Sequence, residues 1–164
     1  MNLIALVDCN FGIGKGGKQT VFIKDDLRRF AELTKGHTII VGRKTLATFP
    51  NGRPLKEREN IILTHDRGFS AEGAQTVTSL KRLLAIAPDD AFVVGGASVY
   101  QQLFQYCTTA YLTEVRGVYP ADAYFPRIDW LPNWELVDRS SMLENEQYRY
   151  QYCTYRNTTP RKQI

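Results

Sequence analysis

Histidine and cysteine are scarce in this chain, two and three among 164 residues, and that scarcity excludes whole classes of chemistry. Cys9, Cys107 and Cys153 are odd in number and far apart, which argues against a disulfide framework and against a thiolate zinc site. The thiols read as reduced, and no metal site is expected. No apolar run approaches the ~20 residues of a membrane span, and Met1-Asn2-Leu3-Ile4 lacks the basic start and long apolar stretch of a signal peptide. The expected location is cytoplasmic, without a membrane partner. Charge of one sign is not concentrated either. The 21 Lys and Arg against 17 Asp and Glu give +4, an excess that suits small anionic ligands, whereas nucleic acid demands clustered basic stripes with aromatics. Repeats, low-complexity stretches and linkers are lacking, so 43% hydrophobic and 23% charged residues describe one domain with one sizeable core. The tail from Thr158 to Ile164 reads as loose.

What the chain does contain is an alternation of buried-strand and helix patterns. Leu3 to Cys9, Thr38 to Val41, Asn60 to Thr64 and Phe92 to Val94 are apolar runs bounded by polar residues, as expected of strands covered on both faces. Between them, Asp25 to Lys35 places Leu27, Phe30, Ala31 and Thr34 at helical spacing, and Ser79 to Ala87 starts on a serine cap and stops before Pro88. A third helix is expected from Ala97 to Tyr106. Strands separated by helices imply βαβ crossovers and a mostly parallel sheet. After Thr109 the helices stop: Ala110 to Arg116, Trp134 to Arg139 and Tyr148 to Tyr155 read as strands, the last two as an antiparallel hairpin at the sheet edge with its tip near Leu143 to Glu146.

Ligands of open α/β sheets bind beyond the carboxyl ends of the strands, so the residues just after each strand matter most. In Ala91 to Tyr100 (AFVVGGASVY) an apolar strand ends at Gly95-Gly96 and opens into a helix. Backbone without a Cβ can approach a phosphate there, and the first helical N–H groups point at it. Gly42-Arg43-Lys44-Thr45 puts two cations and a hydroxyl directly after the second strand, which also suits phosphate. Gly12 to Gly17 matches G-x-G-x-x-G as a string, but no helix follows it, so it reads as a glycine-rich loop over the site that closes on ligands. Asp26 lies in the first helical turn with Phe30 at i+4, at the border of an apolar face. Burial there raises a carboxyl pKa.

These residues, in this order, resemble the bacterial-type dihydrofolate reductases from Leu3 to about Arg156. Leu3-Ile4-Ala5 with Gly12-Ile13-Gly14 is similar to the family's opening strand and loop, Asp26-Leu27 with Phe30 to its acid helix, and Val41-Gly42-Arg43-Lys44-Thr45 to its cofactor turn. Gly52-Arg53-Pro54-Leu55 followed by Arg58 and Asn60-Ile61-Ile62-Leu63-Thr64 continues the series. Val94-Gly95-Gly96 with Val99-Tyr100, then Tyr111-Leu112-Thr113 and Asp122-Ala123-Tyr124-Phe125-Pro126, completes it.

The resemblance implies a single-domain (1–157), three-layer α/β fold with an eight-stranded, mostly parallel central sheet, an antiparallel C-terminal strand and helices on both faces. It implies NADPH-dependent reduction of 7,8-dihydrofolate to 5,6,7,8-tetrahydrofolate by a monomer, with dihydrofolate and antifolates such as trimethoprim as its small-molecule partners. Asp26 with Thr113 behind it would be the catalytic pair. Ile4, Ala5, Leu27, Phe30, Val94 and Tyr100 would surround the pterin, Phe49 and Leu55 would wall the aminobenzoyl group, and Arg58 would fork the glutamate carboxylate. The cofactor would lie along Ala5, Ile13, Gly14, Gly42, Thr45, Leu63 and Val94. Its diphosphate would meet Gly95, Gly96, Ala97, Ser98, Val99 and Tyr100, and its remaining phosphate Arg43, Lys44 and Thr64.

The chain departs from the family pattern at Thr20-Val21, where Pro-Trp is usual, and at Leu46, Ser98 and Ala123. The missing indole N–H at Val21 puts efficiency in doubt and implies reduced antifolate sensitivity. Two alternatives stand beside this reading: a riboflavin-pathway aminopyrimidine reductase of the same fold, which would not need Asp26 and Arg58 together, and a non-catalytic nucleotide- or antifolate-binding module.

Overall fold

The computed structural model describes residues 1–162. In chain order its elements are β1 (Asn2–Val7), β2 (Gly12–Lys15), β3 (Lys18–Gln19), α1 (Lys24–Thr34), β4 (Thr38–Gly42), α2 (Arg43–Leu46), β5 (Glu59–Leu63), β6 (Ala74–Val77), α3 (Leu80–Ile86), β7 (Phe92–Gly95), α4 (Ala97–Leu103), β8 (Thr109–Val115), β9 (Ala123–Tyr124), β10 (Trp134–Arg139), β11 (Leu143–Glu144) and β12 (Arg149–Asn157), with short 3-10 turns at Pro50–Gly52, Phe104–Tyr106 and Ile128–Trp130.

The strands with continuous apolar runs occupy the middle of the sheet, where both faces are covered. Its order is β10-β12-β8-β1-β7-β4-β5-β6, eight strands, with the short β11 paired to β12 as a ninth. From β8 to β6 every pairing is parallel; β12 alone runs antiparallel to both neighbours, β8 and β10. Helices cover both faces. Leu3, Val7, Ile40, Ile61 and Val93 pack against Leu83 and Leu84 of α3 and Val99 and Leu103 of α4. On the opposite face Ile4, Ile39 and Phe92 meet Phe30 and Leu33 of α1. The alternation of Leu3 and Ile4 between the two clusters is the period-2 geometry of a strand buried on both sides. α3 starts on Ser79, whose Oγ accepts the Arg82 N–H at 3.1 Å, as the serine cap predicts.

The antiparallel pair expected at the sheet edge is there: β10, the edge strand, pairs β12 from Trp134↔Asn157 to Arg139↔Cys153. On its other side β12 is hydrogen-bonded to β8 from Tyr150↔Val115 to Arg156↔Thr109, which covers the buried Tyr150, Cys153 and Tyr155. The tip of the β11–β12 connection falls at Asn145 to Tyr148, where the Tyr148 amide donates to the Asn145 side chain at 2.7 Å. Two expectations change. First, Gly12 to Gly17 is not a loop. β2 and β3 form a hairpin that joins β9 in a separate three-stranded sheet. Its turn is Gly16-Gly17, both with positive φ, 60° and 79°, the pair of conformations that lets a two-residue turn follow the twist of its strands. Second, β6, β9 and the short β11 have no counterpart among the strands that the sequence patterns mark. In the tail, the Thr158 and Arg161 amides donate to Asn133 O at 2.8 Å and Gln105 O at 2.7 Å, while residues 163–164 lie outside the described residues.

The hairpin is tied to the main sheet by one carboxylate. Asp8, 2% exposed at the end of β1, accepts from the Asn10 and Gly12 amides with Oδ1 and from the Tyr119 amide with Oδ2, each at 2.9 Å. Across the hairpin, Gly16 N–H donates to Asp122 at 3.0 Å. Asp8→Ala would strand three N–H donors, two of them inside the fold. We expect a loss on the order of 3 kcal/mol in a urea titration, with faster hydrogen exchange at Gly12 and Tyr119.

Candidate active site

The candidate site lies where β1, β4 and β7 meet α1, and its ionisable group is a half-buried carboxylate. Asp26 sits in the first turn of α1, next to Asp25, where the helix dipole favours negative charge. Its Oδ1 accepts the hydroxyl of Thr113, a residue 2% exposed on β8. Burial pushes the Asp26 pKa up from the usual 3.8; the Thr113 hydrogen bond and then the Arg29 charge pull it back. Burial is the largest of the three, so the carboxyl holds its proton to a higher pH than an exposed aspartate does.

Five residues expected around the substrate converge on one apolar surface. Ile4 of β1, Phe30 of α1, Phe49, Leu55 and Val94 of β7 belong to one cluster, joined by Leu33 and Tyr111. Leu27 is brought to the same helix turn but stands 53% exposed at the rim. Tyr100 is buried beneath, its hydroxyl donating to the Ile4 carbonyl at 2.6 Å. Ala5 and Ile13 are half-buried on the other side of β1, against the main core.

Arg58 is held more firmly than its charged surroundings suggest. Nε donates to Thr34 Oγ1 at 3.1 Å, Nη1 to Lys56 O at 2.7 Å and Nη2 to Ala31 O at 2.6 Å. Arginine has five N–H groups, so one on each terminal nitrogen remains beyond these three bonds. Beside it the buried Asn60 accepts the Leu55 N–H with its side-chain oxygen and donates through its amide nitrogen to the carbonyls of Leu55 and Arg58. A cavity of about 580 Å³ opens beside this segment, lined by Leu55, Arg58, Arg53, Lys56 and Glu72 among others.

The two turns expected to hold phosphate face each other. A Cβ on Gly96 would lie 2.8 Å from Thr45 Oγ1, and one on Gly42 3.1 Å from Val99 Cγ2 and 3.6 Å from the Gly96 nitrogen. Gly95 has φ +131°, a conformation that other residues avoid, and the Gly95–Gly96 peptide is cis. Glycine backbone from β4, β7 and the start of α4 thus forms a cradle edged by the Thr45 and Val99 side chains, and a diphosphate of a nicotinamide cofactor fits the chemistry of that cradle. At its outer end Arg43 and Lys44 are exposed, with Thr64 half-buried beside Leu63. Arg43 is not free: Nη1 donates to Asp66 Oδ2 at 2.9 Å, and its guanidinium lies 5.1 Å over the Phe69 ring. Ser98 is exposed, its Oγ accepting from Gln102 at 3.1 Å. Gly14 is buried in β2 against Lys18 O and Ala123.

Val21 is enclosed. It is 1% exposed in a separate small core with Leu6, Ile23, Val115 and Tyr150. Sequence reading missed Asp8, Asn60, Asp66 and Arg29. The spacing of Arg29 three residues after Asp26 marks the same helix face; Asn60 bonds the nearby Leu55 and Arg58, while Asp8 and Asp66 reach Tyr119 and Arg43, distant in sequence.

Comparison with known proteins agrees with this geometry. The family model described as dihydrofolate reductase matches residues 1–157. Dihydrofolate reductase of Bacillus subtilis (strain 168) is 36% identical over 154 residues, covering 93% of this chain and 90% of that protein. The enzyme of Neisseria meningitidis serogroup B is 33% identical over 158 residues, covering 94% and 96%. Among solved structures, the dihydrofolate reductase from Enterococcus faecalis complexed with NADP(H) and RAB-propyl superposes with a TM-score of 0.85 at 32% identity, covering 95% of each chain. The acid on α1 with Thr113 behind it, the glycine cradle and these matches along nearly the whole chain agree: the chain belongs to the dihydrofolate reductase family.

Proposed function

We propose that this chain reduces 7,8-dihydrofolate to 5,6,7,8-tetrahydrofolate with NADPH, and that Asp26 governs the proton the reaction consumes. The observation that carries the assignment of roles is the Asp26 carboxyl, half-buried and held by Thr113, with burial the largest influence on its proton. NADPH, when bound, supplies the hydride; the protein contributes alignment and the proton.

Ile4, Phe30, Phe49, Leu55 and Val94 exclude water from the flat ring and its aryl extension, and Ala5 and Tyr100 close the floor. The Asp26 carboxyl accepts N–H groups of the pterin, and Thr113 keeps the carboxyl facing the cleft. As the carbon beside a pterin ring nitrogen is reduced, that nitrogen must gain a proton. Asp26 favours this through its field or its own proton, aid typically worth about 10² to 10⁴ in rate. The two remaining N–H groups of Arg58 face outward as a fork for the glutamate carboxylate. Gly42, Thr45, Gly95, Gly96, Ala97, Ser98 and Val99 hold the cofactor's diphosphate, Ile13, Gly14 and Leu63 its flanks, and Arg43, Lys44 and Thr64 its remaining phosphate.

Loss of NADPH absorbance on adding dihydrofolate tests the activity; no loss, or loss only with an aminopyrimidine substrate, overturns it. A buried aliphatic Val21 offers no N–H toward an inhibitor, so lower sensitivity to diaminopyrimidine antifolates is expected. Inhibition constants should fall in Val21→Trp, and equal constants would discard the idea.

A further inference from the structure

Arg29 is the one cation whose charge bears on the Asp26 carboxyl among the described residues, and the fold fixes where it lies. It follows Asp26 by three positions on α1, so both side chains leave the same face of the helix. That face looks onto β8 and β12. Thr113 of β8 reaches Asp26, and Tyr152 of β12 is the residue directly opposite Thr113 in the antiparallel ladder. Residues so paired stand side by side on one face of a sheet. The guanidinium of Arg29 rests on the Tyr152 ring, 4.1 Å from its centroid, a stacked arrangement that suits arginine and holds its charge in place.

We propose that Arg29 is a positioning residue for the reaction, parked on Tyr152 beside Thr113 so that its charge bears on the proton held at Asp26.

The other groups around the carboxyl do not supply this charge. Tyr152 is pushed up to about 12, chiefly by burial and then by Tyr150 and Asp26, so its ring is neutral and serves as a ledge. Tyr100 of α4 and Tyr150 of β12 are likewise raised, burial first in each case, and remain uncharged in the neutral range. Asp25 faces Arg28 at 3.7 Å on the exposed side of the helix. Thr113 donates but carries no charge. In this cluster Arg29 alone opposes the effect of burial on Asp26 with a full charge. A half-buried cation acts on a half-buried carboxyl with less screening than surface charges experience.

The direction follows. A nearby cation favours the carboxylate, so removing it makes Asp26 keep its proton to higher pH. Because the reaction consumes a proton, the pH at which the first-turnover rate declines should rise with it. This inference rests on the reading of Asp26 given above, and two readouts separate the two ideas. The first is the carbon-13 titration of the Asp26 carboxyl in the ligand-free protein, its signal assigned by its loss in Asp26→Asn. The second is the pH profile of the first turnover.

Arg29→Gln keeps most of the stem and removes the charge. Its carboxyl midpoint and its rate profile should both move to higher pH, and Arg29→Lys should return both toward the native position. Native midpoints in Arg29→Gln by both readouts would overturn the proposal. A displaced carboxyl titration with an unmoved rate profile would uphold the electrostatic contact and reject its bearing on the reaction, which overturns it too. If Asp26→Asn leaves the rate profile unchanged, the reading of Asp26 itself fails, and the NMR titration records that separately. Should Arg29→Gln not fold, Tyr152→Leu takes its place: the ledge is lost, the charge is freed to solvent, and the midpoint should rise, an unmoved midpoint being the contrary result.

Discussion

Asp26→Asn is expected to slow dihydrofolate reduction at neutral pH by about 10²- to 10⁴-fold, the range that a placed acid supplies, while leaving NADPH affinity unchanged. The cofactor cradle is built from β4, β7 and α4 and shares no side chain with Asp26, so a loss confined to turnover is the signature of its role. The defect should shrink as pH falls, because substrate protonated in solution replaces the missing acid. Stability should move the other way. The folded Asp26 pKa is raised above its usual 3.8, chiefly by burial, so the folded state binds this proton more tightly than the unfolded chain does. Below about 3.8 both states are protonated and the native chain loses nothing. As pH rises from there through the raised folded value, a destabilising contribution appears and then levels off. Asp26→Asn lacks it, and the Thr113 hydroxyl still has an amide oxygen to donate to. Urea titrations at acid and neutral pH should therefore show the variant gaining stability relative to the native chain on going to neutral pH.

Gly96→Ala is expected to weaken NADPH binding by one to two orders of magnitude. The backbone of Gly96 is extended, φ −84°, which alanine tolerates; the obstacle is steric. The new Cβ would lie 2.8 Å from Thr45 Oγ1, closer than real contacts, and the two turns must separate. Such overpacking typically costs about 1–3 kcal/mol, roughly tenfold to hundredfold in an equilibrium constant. Both turns shape the cradle, so ligand affinity and thermal stability should fall together. Adding Thr45→Ala removes the opposing hydroxyl and should recover most of the stability while leaving NADPH affinity low, since the cradle would still contain a methyl group. Calorimetric titration with NADPH on the single and double variants separates the two effects.

Local signals carried the fold as far as burial was continuous. Ile39 to Val41 and Ile61 to Leu63 are apolar on both faces and could be nothing but central strands. Gly12 to Lys15 could not be read that way, because its pairing depends on Gly16 and Gly17 at positive φ and on Ala123 and Tyr124, more than a hundred residues away. β6 buries only Val77 fully, too faint a pattern to stand out. The central place of β12 depends on which partner its buried tyrosines find, a tertiary fact.

The site divides along the same line. The glycine pair, the Arg43 turn and the acid on α1 each mark themselves by residue type at a strand end. The grip of Arg58 on Ala31 and Thr34, the hold of Asp8 on Tyr119 and the seat of Arg29 on Tyr152 join residues remote in the chain. Val21 shows the converse: its place in the family pattern pointed to a pocket wall, yet its side chain is enclosed with Leu6, Ile23 and Val115.

A single-turnover measurement of NADPH oxidation by dihydrofolate, run from acid to alkaline pH on the native chain and on Asp26→Asn, decides whether this carboxyl governs the proton. The native rate should decline around a midpoint above the ordinary carboxylate range, and the variant should lack that step and simply slow as solution protons become scarce. The same midpoint and comparable rates in both proteins would contradict the account.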